Sequence, residues 1–143
     1  MQKALVCSAC NYIHLKDAAP EKCPVCGADS KSFNLKDDVL KTKEDIVTTG
    51  ESHKKHLPVI TINNTTENLQ EIKVAVGELE HPMIPEHYIT SIIFYADNEY
   101  IGRISLSHNL KPKGSILLNT NAKKISVIEN CNIHGNWMTE QDI

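Results

Sequence analysis

Four of the five cysteines lie in two Cys-x-x-Cys pairs near the start of the chain. Cys7-Ser-Ala-Cys10 and Cys23-Pro-Val-Cys26 are separated by twelve residues. Each pair can wrap a tight turn around one face of a metal ion, so that four thiolates converge in a tetrahedron. Asn11 and Gly27 follow the two pairs, and both residue types tolerate the left-handed backbone conformation that such a turn requires. The spacing therefore predicts a four-cysteine metal site.

The fifth cysteine and four of the seven histidines form a second set, spread over three short segments of the chain. These residues are His56, His81, His87, Cys131 and His134. Together they supply four imidazoles and one thiolate. A closed zinc site needs only four ligands, whereas five ligands leave one octahedral position free on iron. The second set therefore predicts a metal site that can bind a substrate. The remaining histidines, His14, His53 and His108, are predicted to be polar surface residues.

The elements that must position these ligands are short and rich in β-branched residues. No segment has a sustained helical period, and Ala96-Asp97-Asn98-Glu99 separates two runs as a hairpin loop would. Six or more strands without long helices favour a mostly β protein, with an antiparallel sandwich of immunoglobulin-like type. The predicted strands are Pro58–Ile62, Glu71–Val76, Tyr88–Tyr95, Tyr100–Ser107, Ser115–Leu118 and Lys124–Ile128.

The composition predicts a small metal-binding module followed by a larger domain. Residues 1–36 hold the two cysteine pairs, residues 37–50 are polar and read as a linker, and residues 51–143 form the predicted sandwich. A module of this size buries too little apolar surface to fold unaided, so metal binding would supply much of its folding free energy. The linker is therefore the predicted domain boundary.

Charge and hydropathy exclude two classes of partner. The net charge is −3 and no basic run is long enough to follow a phosphate backbone, so no nucleic-acid partner is expected. No segment approaches the roughly 20 apolar residues that span a bilayer, and the first residues lack a signal-peptide stretch. An odd number of cysteines favours metal ligands over disulfides. We therefore expect a cytoplasmic protein without a membrane partner.

The first cysteine site resembles the small rubredoxin-like domain of rubrerythrins. The resemblance rests on residues 19–28, which read Ala-Pro-Glu-Lys-Cys-Pro-Val-Cys-Gly-Ala, and on the later Phe33. It implies one-electron transfer at an iron held by Cys7, Cys10, Cys23 and Cys26. A zinc ribbon uses the same ligands without redox chemistry, and spacing alone does not separate the two. Iron is the preferred interpretation because of the second site.

The second site resembles the iron site of superoxide reductases, the desulfoferrodoxin and neelaredoxin proteins. The similarity lies in His56 with Leu-Pro-Val-Ile, in His81-Pro with Glu-His87-Tyr-Ile, and in Cys131-Asn-Ile-His134-Gly-Asn-Trp. It covers the chain from about Gly50 onward. It implies reduction of superoxide to hydrogen peroxide at one non-haem iron, with the four histidines equatorial and Cys131 axial. It also implies that Lys55 guides the anion and orders a proton-donating water, and that the first site is an electron relay.

The same resemblance implies the partners. They are superoxide, an electron donor such as rubredoxin or a rubredoxin reductase, and further copies of the chain in a dimer or tetramer. The sequence departs from the family in two places. The first site lacks the adjacent cysteines of desulfoferrodoxin, and Lys54 stands where the family has the glutamate of its Glu-Lys-His sequence. Glu51 is the nearest carboxylate upstream. A pure electron carrier and a zinc-containing binding module remain the alternative interpretations.

Overall fold

The computed structural model describes residues 2–45, 53–66, 68–119 and 121–143. Within these residues the chain forms ten strands, two short 3-10 turns and one four-residue helix, α1 (His53–His56). None of the described helices is long and apolar enough to span a membrane. The strands are β1 (Gln2–Cys7), β2 (Ile13–His14), β3 (Phe33–Lys41), β4 (Pro58–Thr66), β5 (Leu69–Val76), β6 (Ile89–Ala96), β7 (Glu99–Ser105), β8 (Lys113–Leu118), β9 (Lys124–Cys131) and β10 (Gly135–Asp142).

The strands form two sheets that pack as a sandwich. Strands β10, β9, β6 and β7 lie in one sheet, and β4, β5 and β8 form the other. Four strands facing three is the arrangement of an immunoglobulin-like sandwich, so the predicted fold class is confirmed. Apolar side chains from both inner faces, among them Ile72, Phe94 and Val127, form the main core. Residues that alternate along each strand fill this core because strand side chains point to opposite faces.

The larger sheet is covered on its outer face as well. Strands β2, β1 and β3 continue it beyond β10, and the residues around the cysteine pairs pack over its outer side chains. Tyr95 of β6 donates a hydrogen bond to the carbonyl of Ile13 at 2.6 Å and stacks on Tyr12 with ring centres 6.2 Å apart. Burial on both faces explains why the part of β6 from Ile92 to Ala96 is continuously apolar rather than alternating. The module is thus packed against the sandwich.

The six predicted strands are confirmed, with ends that move by up to four residues. The hairpin between β6 and β7 is confirmed too, and its two turn residues, Asp97 and Asn98, have positive φ angles of 48° and 67°. Strand β10 was not predicted. Its sequence, Gly-Asn-Trp-Met-Thr-Glu-Gln-Asp, has few residues that favour strands, and it is held by its antiparallel partner β9.

Part of the segment 37–50, which the sequence predicts to be a linker, has regular structure. Residues 37–41 continue β3, which pairs with β1 and, in parallel, with β10, and Lys43–Asp45 form a 3-10 turn. Residues 46–50 lie outside the described residues. The first half of β3 is exposed and polar, so its composition resembles that of a linker although its backbone is paired. His14 also differs from the prediction, because it is buried beside Tyr12 and Phe33.

Candidate metal centres

The four cysteines of the first site converge as the spacing predicts. The Sγ atoms of Cys7 and Cys26 lie 3.7 Å apart, as do those of Cys10 and Cys23. Sulfur atoms bound at about 2.3 Å to one tetrahedral metal are about 3.8 Å from one another. All four ligand atoms lie within 4.8 Å of each other. The sulfur positions therefore fit a single tetrahedral ion.

Two matching turns bring these thiols together. The amide of Asn11 donates to the carbonyl of Cys7 at 2.8 Å, and the amide of Gly27 donates to the carbonyl of Cys23 at 2.9 Å. Both residues have the predicted left-handed backbone, with φ of 65° and 79°. Burial and the neighbouring thiols raise the pKa of Cys10 to about 12. Because four close sulfur atoms do not ionise together without a cation, the site fits iron or zinc as a resident ion.

The four imidazoles of the second set form a square. Neighbouring ring centres lie 4.7 Å apart for His56 and His81, 4.7 Å for His81 and His87, 5.0 Å for His87 and His134, and 4.9 Å for His134 and His56. The diagonal from His56 to His87 is 6.5 Å. Imidazoles bound at about 2.1 Å in a square, with ring centres ~1.1 Å behind the nitrogen, would be about 4.5 Å apart along an edge and about 6.4 Å along a diagonal. The square therefore has the dimensions of four equatorial ligands.

Cys131 lies against this square. Ligand atoms of His56, His81, His87 and Cys131 all lie within 4.8 Å of one another, and Cys131 Sγ is 3.7 Å from His134 Nδ1. The Cys131 side chain is buried, and its sulfur accepts a hydrogen bond from the His134 amide at 3.4 Å. The structure thus brings all five predicted residues of the second set together. Four imidazoles and one thiolate fit an iron ion with one octahedral position left for a small ligand.

Hydrogen bonds identify the nitrogen that some of the rings present to the centre. His81 donates from Nδ1 to the carbonyl of Pro82 at 2.7 Å, which leaves its Nε2 free. The Nε2 atoms of His81 and His87 are buried and have no hydrogen-bond partner among the described residues. Buried nitrogens of this kind cost free energy unless an ion accepts their lone pairs. This observation supports metal binding independently of the ring spacing.

Three of the four rings have lowered pKa values, which favour the neutral form that binds metals. Burial, followed by the charge of neighbouring imidazoles, lowers the pKa of His56 to about 3. Burial lowers the pKa of His81 to about 4 although its hydrogen bond to Pro82 opposes the shift. Burial and the charge of the neighbouring His87 also lower the pKa of His134. Neutral imidazoles need no proton release before they bind a cation, so the site is prepared for a metal at neutral pH.

Cys131, His134 and His87 lie at the end of a strand or in turns that backbone hydrogen bonds fix, whereas His56 ends α1. Cys131 ends β9, and the turn back to β10 carries His134 and closes at Gly135, whose φ is 80°. A pair of 3.1 Å backbone hydrogen bonds between Ile84 and His87 closes the turn that carries His87. Asn132 links the two loops, because its side chain accepts from the Tyr88 amide and donates to the Glu86 carbonyl.

Two residues that sequence reasoning did not assign, Trp137 and Glu129, lie against His56. Trp137 stacks on His56, with ring centres 4.9 Å apart and planes 8° from parallel. Glu129 is fully buried, with Oε1 3.8 Å from His56 Nδ1, and burial raises the pKa of its carboxyl well above the usual range. Glu129 and Cys131 point to the same side of β9 because they are two residues apart. The sequence offered one signal for Glu129: it is a charged residue on the face of β9 that also carries the predicted ligand Cys131.

The predicted residue Lys55 is exposed and belongs to α1, one position before His56. Its positive charge is one of the causes that lower the pKa of His81, so its field reaches the second site. The carbonyl of Lys54 accepts a hydrogen bond from the Leu79 amide at 2.8 Å. Glu51, the upstream carboxylate, lies outside the described residues.

The fold and the two sites define a mostly β metalloprotein with a four-cysteine site and a four-histidine, one-cysteine site. Comparison with known proteins agrees with this class. The desulfoferrodoxin family model matches residues 48–140, and the rubredoxin-like domain of rubrerythrin matches residues 6–34. The chain belongs to the desulfoferrodoxin family.

Individual relatives show the same similarity. A superoxide reductase of Pyrococcus abyssi is 35% identical over 98 residues, covering 60% of this chain and 84% of its own. A desulfoferrodoxin homolog of Archaeoglobus fulgidus is 28% identical and covers 96% of this chain and 93% of its own. The crystal structure of the superoxide reductase from Treponema pallidum superimposes with a TM-score of 0.60 at 23% identity, over 96% of this chain and 97% of that one, and supports the fold of the whole chain.

The packing of Gly77 generates a first prediction. A Cβ added at Gly77 would lie 2.7 Å from the carbonyl oxygen of Lys54 and 2.8 Å from the carbonyl carbon of Lys55. These are backbone atoms of the helix that carries His56, and they cannot move without displacing that ligand. We expect Gly77→Ala to destabilise the protein by about 1–3 kcal/mol and to weaken metal binding at the second site.

Metal content and thermal unfolding check this expectation. Gly102→Ala is the matched control, because a Cβ there meets nothing within 4 Å. Equal metal content and stability in the two variants would contradict a role for close packing at Gly77.

The first site generates a second prediction. Cys23→Ser should remove one metal ion per chain and lower the stability of the residues around the cysteine pairs, because the remaining thiols no longer close a tetrahedron. The second site should keep its metal, since its ligands come from other segments. Elemental analysis of the purified variant measures both. The control is Ser8→Ala, which changes the turn of the other cysteine pair without touching a ligand. Loss of both metals in Cys23→Ser would show that the sites are not separable.

Proposed function

We propose that this chain is a superoxide reductase, in which one electron and two protons convert superoxide into hydrogen peroxide at the second site. The observation that carries this proposal is the square of four imidazoles beside the buried thiol of Cys131. Five ligands of this kind leave one coordination position for a small anion. The superoxide reductases that the chain resembles support the same substrate.

Iron, when bound, would supply the electron that superoxide takes up and, with one thiolate and four neutral imidazoles, a net local charge near plus one. The residues around it divide the remaining work. His56, His81, His87 and His134 would hold the ion through their ring nitrogens, and Cys131 would provide an electron-rich sulfur. Lys55 attracts the anion and orders the water that delivers a proton. The exposure of Lys55 and the contribution of its charge to the lowered pKa of His81 support both tasks.

The organisation of the chain and its partners belong to the same proposal. Residues 1–36 form the four-cysteine module with iron in preference to zinc, residues 51–143 form the reductase domain, and residues 37–50 connect them. The module relays electrons from a donor such as rubredoxin or a rubredoxin reductase, and the chain assembles as a dimer or tetramer. Five free cysteines support a reducing, cytoplasmic location.

The amount of peroxide formed separates reduction from the alternatives. With an electron donor present, we expect one hydrogen peroxide for each superoxide consumed, because every superoxide receives its electron from the protein. A dismutase would form one peroxide for every two superoxides, and an electron carrier or a zinc-containing binding module would not accelerate the loss of superoxide. The ratio measured with and without the donor therefore tests the proposal directly.

Lys55 generates a prediction about electrostatic steering. An anion that meets a cationic patch associates faster, and the gain shrinks as salt shortens the Debye length from about 30 Å at 0.01 M to about 10 Å at 0.1 M. In Lys55→Ala the second-order rate constant with superoxide should fall roughly tenfold at low ionic strength, and its salt dependence should flatten. The absorption spectrum of the second site should not change, because Lys55 is not a ligand.

Pulse-radiolysis rates across a salt series check this prediction. Lys31→Ala is the control, since Lys31 is an exposed lysine of the cysteine module and carries the same charge. An unaltered rate and slope in Lys55→Ala, or an equal change in Lys31→Ala, would show that Lys55 is an ordinary surface lysine.

A further inference from the structure

Lys41 connects the strand that leaves the cysteine module to the second site. It ends β3 and pairs with Trp137 of β10 in parallel register. Its ammonium group donates a hydrogen bond to the carbonyl of His134 at 3.1 Å and lies 5.1 Å from the centre of the Trp137 ring. A hydrogen bond from an ammonium and a cation–π contact are both stronger than their neutral equivalents. One side chain from the N-terminal part of the chain thus contacts the backbone of one ligand, His134, and the ring of Trp137.

Through His134 and Trp137, Lys41 acts on two neighbouring ligands of the square. The His134 carbonyl belongs to a ligand residue, and holding it fixes the backbone of the turn between Cys131 and Gly135. Trp137 also stacks on His56, so an indole held by Lys41 limits the tilt of that imidazole. His56 and His134 are adjacent corners of the square. Lys41 therefore restrains both imidazoles of the edge between His56 and His134.

The charge of Lys41 also acts at the site. It contributes, after burial and the neighbouring imidazoles, to the lowered pKa of His56 and of His134. It opposes the rise in the pKa of Glu129, which burial causes. A positive charge that lies near a redox ion favours the ion's reduced form, since that form carries one positive charge less.

We propose that Lys41 is a positioning residue of the second site, which holds the His134 turn and the Trp137 ring in place and raises the reduction potential of the metal bound there. The inference rests on metal binding at the second site but not on superoxide as the substrate. It gives the N-terminal part of the chain a role at the second site that does not depend on electron relay from the four cysteines.

Two replacements separate the parts of this proposal. Lys41→Met keeps the length of the side chain and removes its charge and its hydrogen bond, whereas Lys41→Arg keeps both. The control is Lys36→Met, which removes the same charge from an exposed position on the same strand, about 16 Å further from the site at ~3.3 Å per residue. All variants are prepared as the metal-loaded full chain.

The measurements are the midpoint potential of the second site and amide hydrogen exchange over residues 131–137. In Lys41→Met we expect a lower potential and exchange roughly tenfold faster, as the loss of one charge-assisted hydrogen bond would give. Lys41→Arg and Lys36→Met should match the unaltered protein. If Lys41→Met does not fold, Lys41→Gln replaces it, with the same two expectations.

An unchanged potential, unchanged exchange, or an equal effect in Lys36→Met would overturn the proposal. Superoxide consumption is measured separately on the unaltered protein. A protein that binds metal at the second site without consuming superoxide would contradict the proposed function and leave the test of Lys41 intact.

Discussion

The structure depends on one unfavourable feature, which is the burial of ligand atoms that have no partner within the protein. The Nε2 atoms of His81 and His87 have lost contact with water, and no described residue accepts or donates a hydrogen bond there. An unsatisfied buried polar atom costs about 1–3 kcal/mol. An ion at the centre of the square would satisfy both nitrogens at once and would also bind His56, His134 and Cys131. The geometry of the site is therefore understandable only as a metal centre.

The sandwich supplies the rigidity that such a centre requires. The ligands come from α1, from the turns between β5 and β6, and from the hairpin of β9 and β10, so they are distant in sequence and converge at one end of the fold. Backbone hydrogen bonds fix each turn, and Gly77 lets the loop after β5 approach the backbone of α1. The paired strands thus fix the shape of the ligand square before an ion binds. A bound iron would then keep its sixth coordination position for a small ligand.

Much of this arrangement could be predicted from the sequence, because ligand chemistry and strand patterns are local. The spacing of Cys7, Cys10, Cys23 and Cys26 contains the whole first site, and β-branched runs mark the six strands of the sandwich that were predicted. Strands β1, β2, β3 and β10 were not among the predicted strands. Strand β10 and the first half of β3 are polar and exist through long-range pairing with other strands. The supporting residues Glu129, Trp137 and Lys41 act across the fold, and no local pattern shows which ligand each would contact.

Metal content combined with visible absorption of the oxidised protein tests the central claim most directly, when the unaltered chain is compared with Cys131→Ser. We expect one iron per chain at the second site and a thiolate-to-iron charge-transfer band that Cys131→Ser removes, while the absorption of the first site stays the same. An unaltered chain that holds only zinc, or a second-site band that survives in Cys131→Ser, would contradict this expectation.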